Sequence, residues 1–231
     1  WATVRSSQSL LDGYLPIPSV RWTADSLTLD TTAFVAGEAG QSRLVLRYTL
    51  VNRTAQPQRV TLALLARPFQ VNPPTQFLNT PGGIHRIHDL AWDGKVLTVN
   101  GQTRVVPLQS ADSFVASSHE AGPLPERLAQ GERPEVASLH DGAGFLQGAL
   151  LYAIDLPAHG SRTLGLVVPS HGDDLQAPRT TETWLRQELE RTASAWREKL
   201  NRVTLQLPAS QHAIVDTARS ALAQMLMSRD G

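Results

Sequence analysis

Alternating apolar and polar positions run through the first three quarters of the chain, and the period changes near residue 175. Ser42 to Asn52 sets Leu44, Leu46, Tyr48 and Leu50 on one face and Arg43, Arg47 and Thr49 on the other. That period of two marks a half-buried strand. Arg59 to Arg67 repeats it, with Val60, Leu62 and Leu64 turned inward. The polar run Asn52-Arg53-Thr54-Ala55-Gln56-Pro57 lies between them, so these two strands are expected to pair as antiparallel neighbours. Lys95–Val99 and Gln102–Val106 flank Asn100-Gly101, which supplies the two positive-φ residues of a type I′ hairpin turn. Further strands are expected at 19–22, 27–29, 32–36, 113–117, 148–155 and 162–168. The last two are expected to form a hairpin through Ala158-His159-Gly160-Ser161. One sheet of so many short strands would curl or split, so the pattern predicts a mainly β fold, a large antiparallel two-sheet sandwich over residues 1–175.

After residue 175 the spacing becomes helical. Thr181 to Val203 places Leu185, Leu189, Ala193, Trp196, Leu200 and Val203 on one side, which predicts a linker helix within 176–208. Trp184 and Trp196 are expected to pack that linker against the sandwich. Ser210 reads as the cap of a second helix in 209–231, with Ile214, Ala218, Ala221, Leu222 and Met225 as its apolar face. Ile214, Leu222 and Met225 are expected to pack against another domain.

Composition narrows the function classes. The 231 residues carry 21 basic and 21 acidic side chains, so no bulk field draws nucleic acid or an anionic membrane. Only Lys95 and Lys199 are lysines among the basic residues; the scattered arginines read as a compositional bias rather than an anion-binding cluster. Without cysteine there is no disulfide framework, thiolate nucleophile or Cys-ligated zinc. The longest apolar run, Gly144 to Leu156, is too short to span a bilayer. The chain opens at Trp1 and stops at Gly231 with no finishing element, so it is expected to be a piece of a longer protein.

The segment richest in candidate chemistry is Arg67 to Gly83, which holds four prolines, two phenylalanines and four side-chain amides. Prolines restrict its backbone in advance, and amides offer both donor and acceptor to sugar hydroxyls. Phe69, Gln70, Asn72, Gln76, Phe77 and Asn79 are therefore the candidate residues for contact with a carbohydrate or an adjoining domain. His85 and His88 have the spacing of a metal pair only on a helix; on a strand their rings diverge, so neither a metal nor a cofactor is expected. Glu120, Glu126, Asp155, Asp173 and Asp174 lie in separate segments and define no glycosidase acid/base pair. No nucleophile elbow or phosphate loop occurs, and Asn52-Arg53-Thr54, although a glycosylation sequon, reads as turn chemistry. Trp22 and Trp92 are expected in the core unless they stand exposed beside Phe69 and Phe77 as a sugar-stacking row.

Tyr14-Leu15-Pro16-Ile17-Pro18-Ser19-Val20-Arg21-Trp22, Arg67 to Pro74, and Ala213-Ile214-Val215-Asp216 leading into Ala221 to Leu226 resemble segments of large bacterial glycoside hydrolase-type proteins. The order of parts is similar to the N-terminal half of glucoamylase, glycogen-debranching and maltose-phosphorylase-like proteins, the six-hairpin glycosidases. In that group a super-sandwich precedes an (α/α)6 toroid that carries the catalytic carboxylates. The resemblance implies a non-catalytic accessory domain that packs on a missing C-terminal toroid and shapes its substrate cleft with the 69–79 loop. It implies residues 209–231 as the toroid's first helix. It also implies oligo- or polysaccharide as a possible ligand; the compartment stays open, with a bacterial periplasmic or extracellular setting slightly ahead of a cytoplasmic one. Two rival readings are an autonomous carbohydrate-binding module and a self-contained hydrolase. The last helix could alternatively pair with a second copy of the chain.

Overall fold

A computed structural model describes residues 3–38, 40–75, 81–170, 181–204 and 207–228. The first half forms β1 (Arg5–Leu10), a 3-10 turn at Leu11–Gly13, β2 (Pro18–Thr23), β3 (Leu27–Ala36), β4 (Arg43–Asn52), β5 (Gln58–Ala66), β6 (Gln70–Thr75), β7 (Pro81–Ile84), β8 (Asp89–Trp92), β9 (Leu97–Val99) and β10 (Thr103–Pro107). Then follow β11 (Ser113–Ser117), α1 (Leu124–Ala129), β12 (Ser138–His140), β13 (Gln147–Leu156), β14 (Ser161–Pro169), α2 (Thr181–Leu200) and α3 (His212–Met227). The fold is mainly β, with antiparallel sheets followed by two C-terminal helices, as the patterning predicts.

The chain divides into two compact units, the first made of Trp1–Gln58, Leu156–His171 and Gln176–Gly231, the second of Arg59–Asp155 and Gly172–Leu175. In the first unit the strands neighbour one another in the order β1-β2-β3-β4-β14. The register pairs Leu50 with Leu29 and Arg162, and Leu46 with Ala33 and Leu166, so the leucines of β4 share one face as their alternation requires. Leu50, Leu164 and Leu166 are buried there, and burial pushes the Tyr48 hydroxyl above its ordinary pKa. Leu15 and Ile17, in the connection from β1 to β2, are wholly buried.

The opposite face has two characters. Phe34, Val45 and Val167 lie side by side and are buried, beside Ala36 and Arg43. Helix α2 packs on β3 and β14 and covers this end, with Leu185, Ala193 and Leu200 wholly buried. The sequence stripe is correct for these three residues, whereas Val203 lies past the helix end and is 62% exposed. Further along the same face the rows become polar: Ser7, Arg21, Asp30 and Thr49 in one, Ser9, Ser19, Thr32 and Arg47 in the next.

In the second unit β8, β9 and β10 form a meander that continues β10-β9-β8-β12, and β11-β13-β5 form a separate three-stranded sheet. The Asn100-Gly101 turn forms with both residues at positive φ, 51° and 68°, and Gln102 N donating to Val99 O at 3.1 Å, but Val99 faces Thr103, so three residues rather than the expected two separate the paired strands. Gly148 to Tyr152 of β13 are buried without interruption, which is why that strand reads as an apolar run instead of an alternation. Val115, Leu124, Ala149 and Leu151 form a buried cluster, with Ala63 and Leu128 against it.

Two expected strand pairs do not form. The sheet neighbours of β4 are β3 and β14, while β5 neighbours β13. β13 pairs with β11, so it makes no hairpin with β14. Alternation fixes which face a strand buries but not its partner, and neither connection is a two-residue hairpin turn. Instead the two connections bind each other. Asn52 is 1% exposed; its Nδ2 donates to Gln56 O at 2.7 Å and Pro157 O at 2.9 Å, and its Oδ1 accepts from Thr54 N at 2.9 Å and Thr54 Oγ1 at 2.8 Å. His159 N donates to Thr54 O at 3.0 Å. The sequon asparagine is thus a buried tie, which agrees with its reading as turn chemistry.

Helix α3 seats Val215 and Ala223, with Ser220 Oγ donating to Tyr14 O at 3.4 Å and the Arg219 guanidinium 4.9 Å from the Tyr14 ring centroid. The apolar stripe read from the sequence is a different one. Ile214 is 54% and Met225 67% exposed, whereas Leu222 at its margin is half-buried. Ile214 and Val215 are consecutive, so the helix has two apolar sides and only one is covered here.

Candidate functional site

The proline-rich segment continues directly from β5 through Arg67, Pro68 and Phe69. Expected as a loop, it forms a two-stranded ribbon in which Gln70 faces Ile84, Asn72 faces Gly83 and Thr75 faces Pro81. The register shifts on either side of Asn72. Pro73-Pro74 can donate no ladder hydrogen bond, so an irregular edge ribbon is the pairing open to it. Gln76, Phe77 and Asn79 lie outside the described residues.

Phe69 is 63% exposed at the ribbon's base. There a hollow of about 190 Å³ is lined by Arg67, Pro68, His119, Pro123, Phe145 and Gln147. The Phe145 ring has the His119 ring 5.5 Å away between centroids and the Arg86 guanidinium 5.5 Å from its own centroid. Phe145 is presented by a tightly tied turn. Asp141 accepts from Ala143 N and Phe145 N, both at 3.0 Å, and these two bonds hold its carboxyl below the usual carboxylate range. Ile87 N donates to Gly144 O at 2.9 Å and Arg86 Nη1 to Ala143 O at 3.0 Å. Gly144 has φ +77°, and a Cβ there would stand 2.7 Å from the His88 ring, so the turn requires glycine.

Opposite, Gln147 Oε1 accepts from Leu124 N at 3.2 Å and fixes the start of α1. Arg127 on that helix is held by Glu132 at 2.6 Å and donates to Ser117 Oγ at 2.9 Å. The hollow therefore presents an aromatic ring, an imidazole, a guanidinium and an amide on anchored backbone. That set suits binding of a hydroxyl-bearing ligand. Among the described residues its lining holds no carboxylate.

The other candidates are dispersed. Trp92 is half-buried, its ring 6.3 Å from Phe114, while Trp22, on β2 of the other unit, is 40% exposed. Trp184 is half-buried with the Arg43 guanidinium 5.6 Å from its centroid, and Trp196 has Lys199 Nζ at 5.2 Å. His85 is exposed, and the His88 Nδ1 lies 3.2 Å from Asp141 O. Among the described residues no three His, Asp or Glu side chains cluster as metal ligands. Asp155 is an exposed partner of Arg59 at 3.6 Å, and Asp173 and Asp174 lie outside the described residues. Asp141, Arg86 and Phe145 were not singled out from sequence; the signal was Asp-x-x-Gly-Phe, a tight turn ending on an aromatic.

No family model matches the chain, and no curated protein matches it significantly. Its fold is that of part of a bacterial glucoamylase, solved in complex with acarbose, with a TM-score of 0.54 and 11% identity over 86% of this chain. A putative kojibiose phosphorylase from the human microbiome aligns over 96% of this chain and 25% of its own, with 9% identity and a TM-score of 0.35. The chain spans 29% of the glucoamylase's length. Among the described residues no helix is long and apolar enough to cross a membrane.

Proposed function

We propose that the chain is a non-catalytic accessory domain of a larger carbohydrate-active, glycoside hydrolase-like protein. In this reading residues 1–175 are the super-sandwich, 176–208 the linker and 209–231 the first helix of a C-terminal helical toroid. The observation that carries it is the uncovered side of α3, where Ile214 and Met225 are each more than half exposed. A stripe of that kind on a terminal helix calls for a covering partner. The fold likeness to 29% of a glucoamylase supplies a reason to expect that partner in the same protein. The β6–β7 ribbon, with Phe69, Gln70, Asn72, Gln76, Phe77 and Asn79, then reaches over the toroid's substrate cleft. Trp184 and Trp196 set the linker against the sandwich.

The test compares the whole protein with the same protein lacking residues 70–84. The accessory reading expects the deletion to raise KM for oligosaccharide while the 231-residue chain alone cleaves no glycan. Glycan cleavage by the chain alone would overturn it. The exposure of Phe69 favours a second reading, an autonomous carbohydrate-binding module. Titration of the isolated chain with maltoheptaose separates the two: binding in the micromolar range supports the module, and its absence supports the accessory domain.

A further inference from the structure

The uncovered part of the first unit's sheet holds a trough of about 400 Å³. This volume falls within the range of small-ligand sites. It is lined by side chains that rise from β1 to β4, and all of them are polar. Ser19 and Thr32 share a hydrogen bond at 2.8 Å, and Thr49 reaches Thr163 at 3.3 Å. Arg21 and Asp30 form a two-pronged pair, Nε to Oδ1 at 2.6 Å and Nη2 to Oδ2 at 3.0 Å, so their charges cancel. Arg43, near the covered end of the same face, is likewise paired, with Glu188 at 2.9 Å.

Arg47 is the exception. Its Nε is buried without an acceptor, as is that of Arg43, but unlike Arg43 it has no carboxylate partner among the described residues to offset its charge. Its neighbours across the sheet are Thr32 and Gly165, neither able to neutralise it. A buried donor without a partner is penalised until something accepts from it or takes up the charge. The trough thus combines a row of hydroxyls with one net positive charge. A phosphate would bring about two negative charges, more than this lining offsets; a carboxylate brings one, in the planar form a guanidinium fork fits.

We propose that this trough is a binding site for a carboxylate-bearing saccharide, with Arg47 holding the carboxylate and Ser19, Thr32 and Thr49 facing the sugar hydroxyls. The site belongs to the first unit and the β6–β7 ribbon to the second, and the proposal does not depend on the accessory-domain reading. Neutral sugars lack the group that Arg47 needs and bind weakly or not at all.

The test is calorimetric titration of the chain with trigalacturonate, maltotriose and sodium sulfate, repeated on R47M and R47K. R47M keeps the aliphatic stem and removes the charge; R47K keeps the charge and removes the fork. The proposal expects trigalacturonate to bind at least about tenfold more tightly than maltotriose, and R47M to weaken it by about tenfold or more, the loss expected with a charge-assisted hydrogen bond. R47K should fall between the two. If R47M does not fold, R47K together with the double variant S19A/T32V carries the test, each expected to weaken trigalacturonate severalfold. Equal affinity for maltotriose, an undiminished affinity in the variants, sulfate binding as tightly as trigalacturonate, or no binding of trigalacturonate each overturns it.

Discussion

Arg43 Nη2 donates to Glu188 Oε2 at 2.9 Å, joining β4 to α2 across 145 residues of sequence. Glu188 is only 4% exposed, and Arg191 one turn further on holds its other oxygen. The helix is thus fastened to the sheet by a buried carboxylate between two guanidinium groups, with Trp184 beneath one of them. Removing one partner of such a pair leaves an uncompensated buried charge. Glu188→Ala is expected to destabilise the chain by about 3–5 kcal/mol, read from urea unfolding, whereas the double variant Arg43→Met/Glu188→Leu should recover most of that loss.

Asn52→Ala removes a side chain that satisfies two carbonyls, one backbone N–H and one hydroxyl. The unpaired buried groups should reduce stability by about 2–3 kcal/mol in chemical denaturation. Asn52→Asp should be no better, because a carboxylate cannot donate to Gln56 O and Pro157 O.

Asp141 ties the turn that presents Phe145, and its folded pKa is lowered by the N–H groups of Phe145 and Ala143. A depressed carboxylate contributes stability above its unfolded pKa of about 3.9 and loses it as pH falls through the lower folded value. Wild type should therefore be more stable than Asp141→Asn at neutral pH, and the difference should shrink below about pH 4. Unfolding curves measured from pH 7 to about pH 2.5 check this; a constant difference would contradict it.

Gly148 lies on β13 where an added Cβ would stand 2.8 Å from Leu90 Cδ1 and 3.0 Å from Phe114 Cε2. Its backbone is free of positive φ, so the effect of Gly148→Ala is one of space alone. Overpacking should lower stability by about 1–3 kcal/mol. Thermal unfolding beside Gly94→Ala, where φ is +89° and the space is open, separates crowding from backbone strain.

The outer stripe of α3 gives a contrasting expectation. Ile214→Ser with Met225→Ser changes exposed side chains and should shift the stability of this chain by no more than about 0.5 kcal/mol. On the proposed accessory-domain reading, the same pair should weaken the attachment of this chain to its covering partner, seen as a separate, earlier unfolding transition.

What the sequence conveyed follows from which interactions are local. The two faces of Arg43–Asn52, the Asn100-Gly101 turn and the stripe Leu185, Ala193, Leu200 are set by spacing within a few residues, and all are found. Strand partnership is not local: β4 meets β14 more than a hundred residues away, and the polar segment after β4 looks the same whether the chain turns back or crosses over. β1, written Arg-Ser-Ser-Gln-Ser-Leu, carries no apolar alternation because all six residues are exposed at the sheet's edge. Glu188 reads as an ordinary helix-surface charge, since only the sheet that covers it makes it a tie. At the β6–β7 ribbon, composition singled out Phe69, which is exposed, but not Phe145, whose position depends on the Asp141 turn folding against Ile87 and His88.

The first unit is assembled from three stretches of chain, and the second consists almost wholly of the single stretch Arg59–Asp155. During synthesis the ribosome completes the second unit's main segment before it delivers β14. Until then β4 has an open edge, Val45 lacks Val167 beside it, and Phe34 and Val45 lack the helix that covers them. Closing this sheet requires bringing together residues separated by the whole length of the insertion, a slow step in which unpaired strand edges invite association. An interval with an unpaired strand edge therefore separates the appearance of β4 from the docking of β14 and α2. Substitutions at Arg43 or Glu188 would lengthen that interval, and their effect on yield in the cell should exceed their effect on the finished fold.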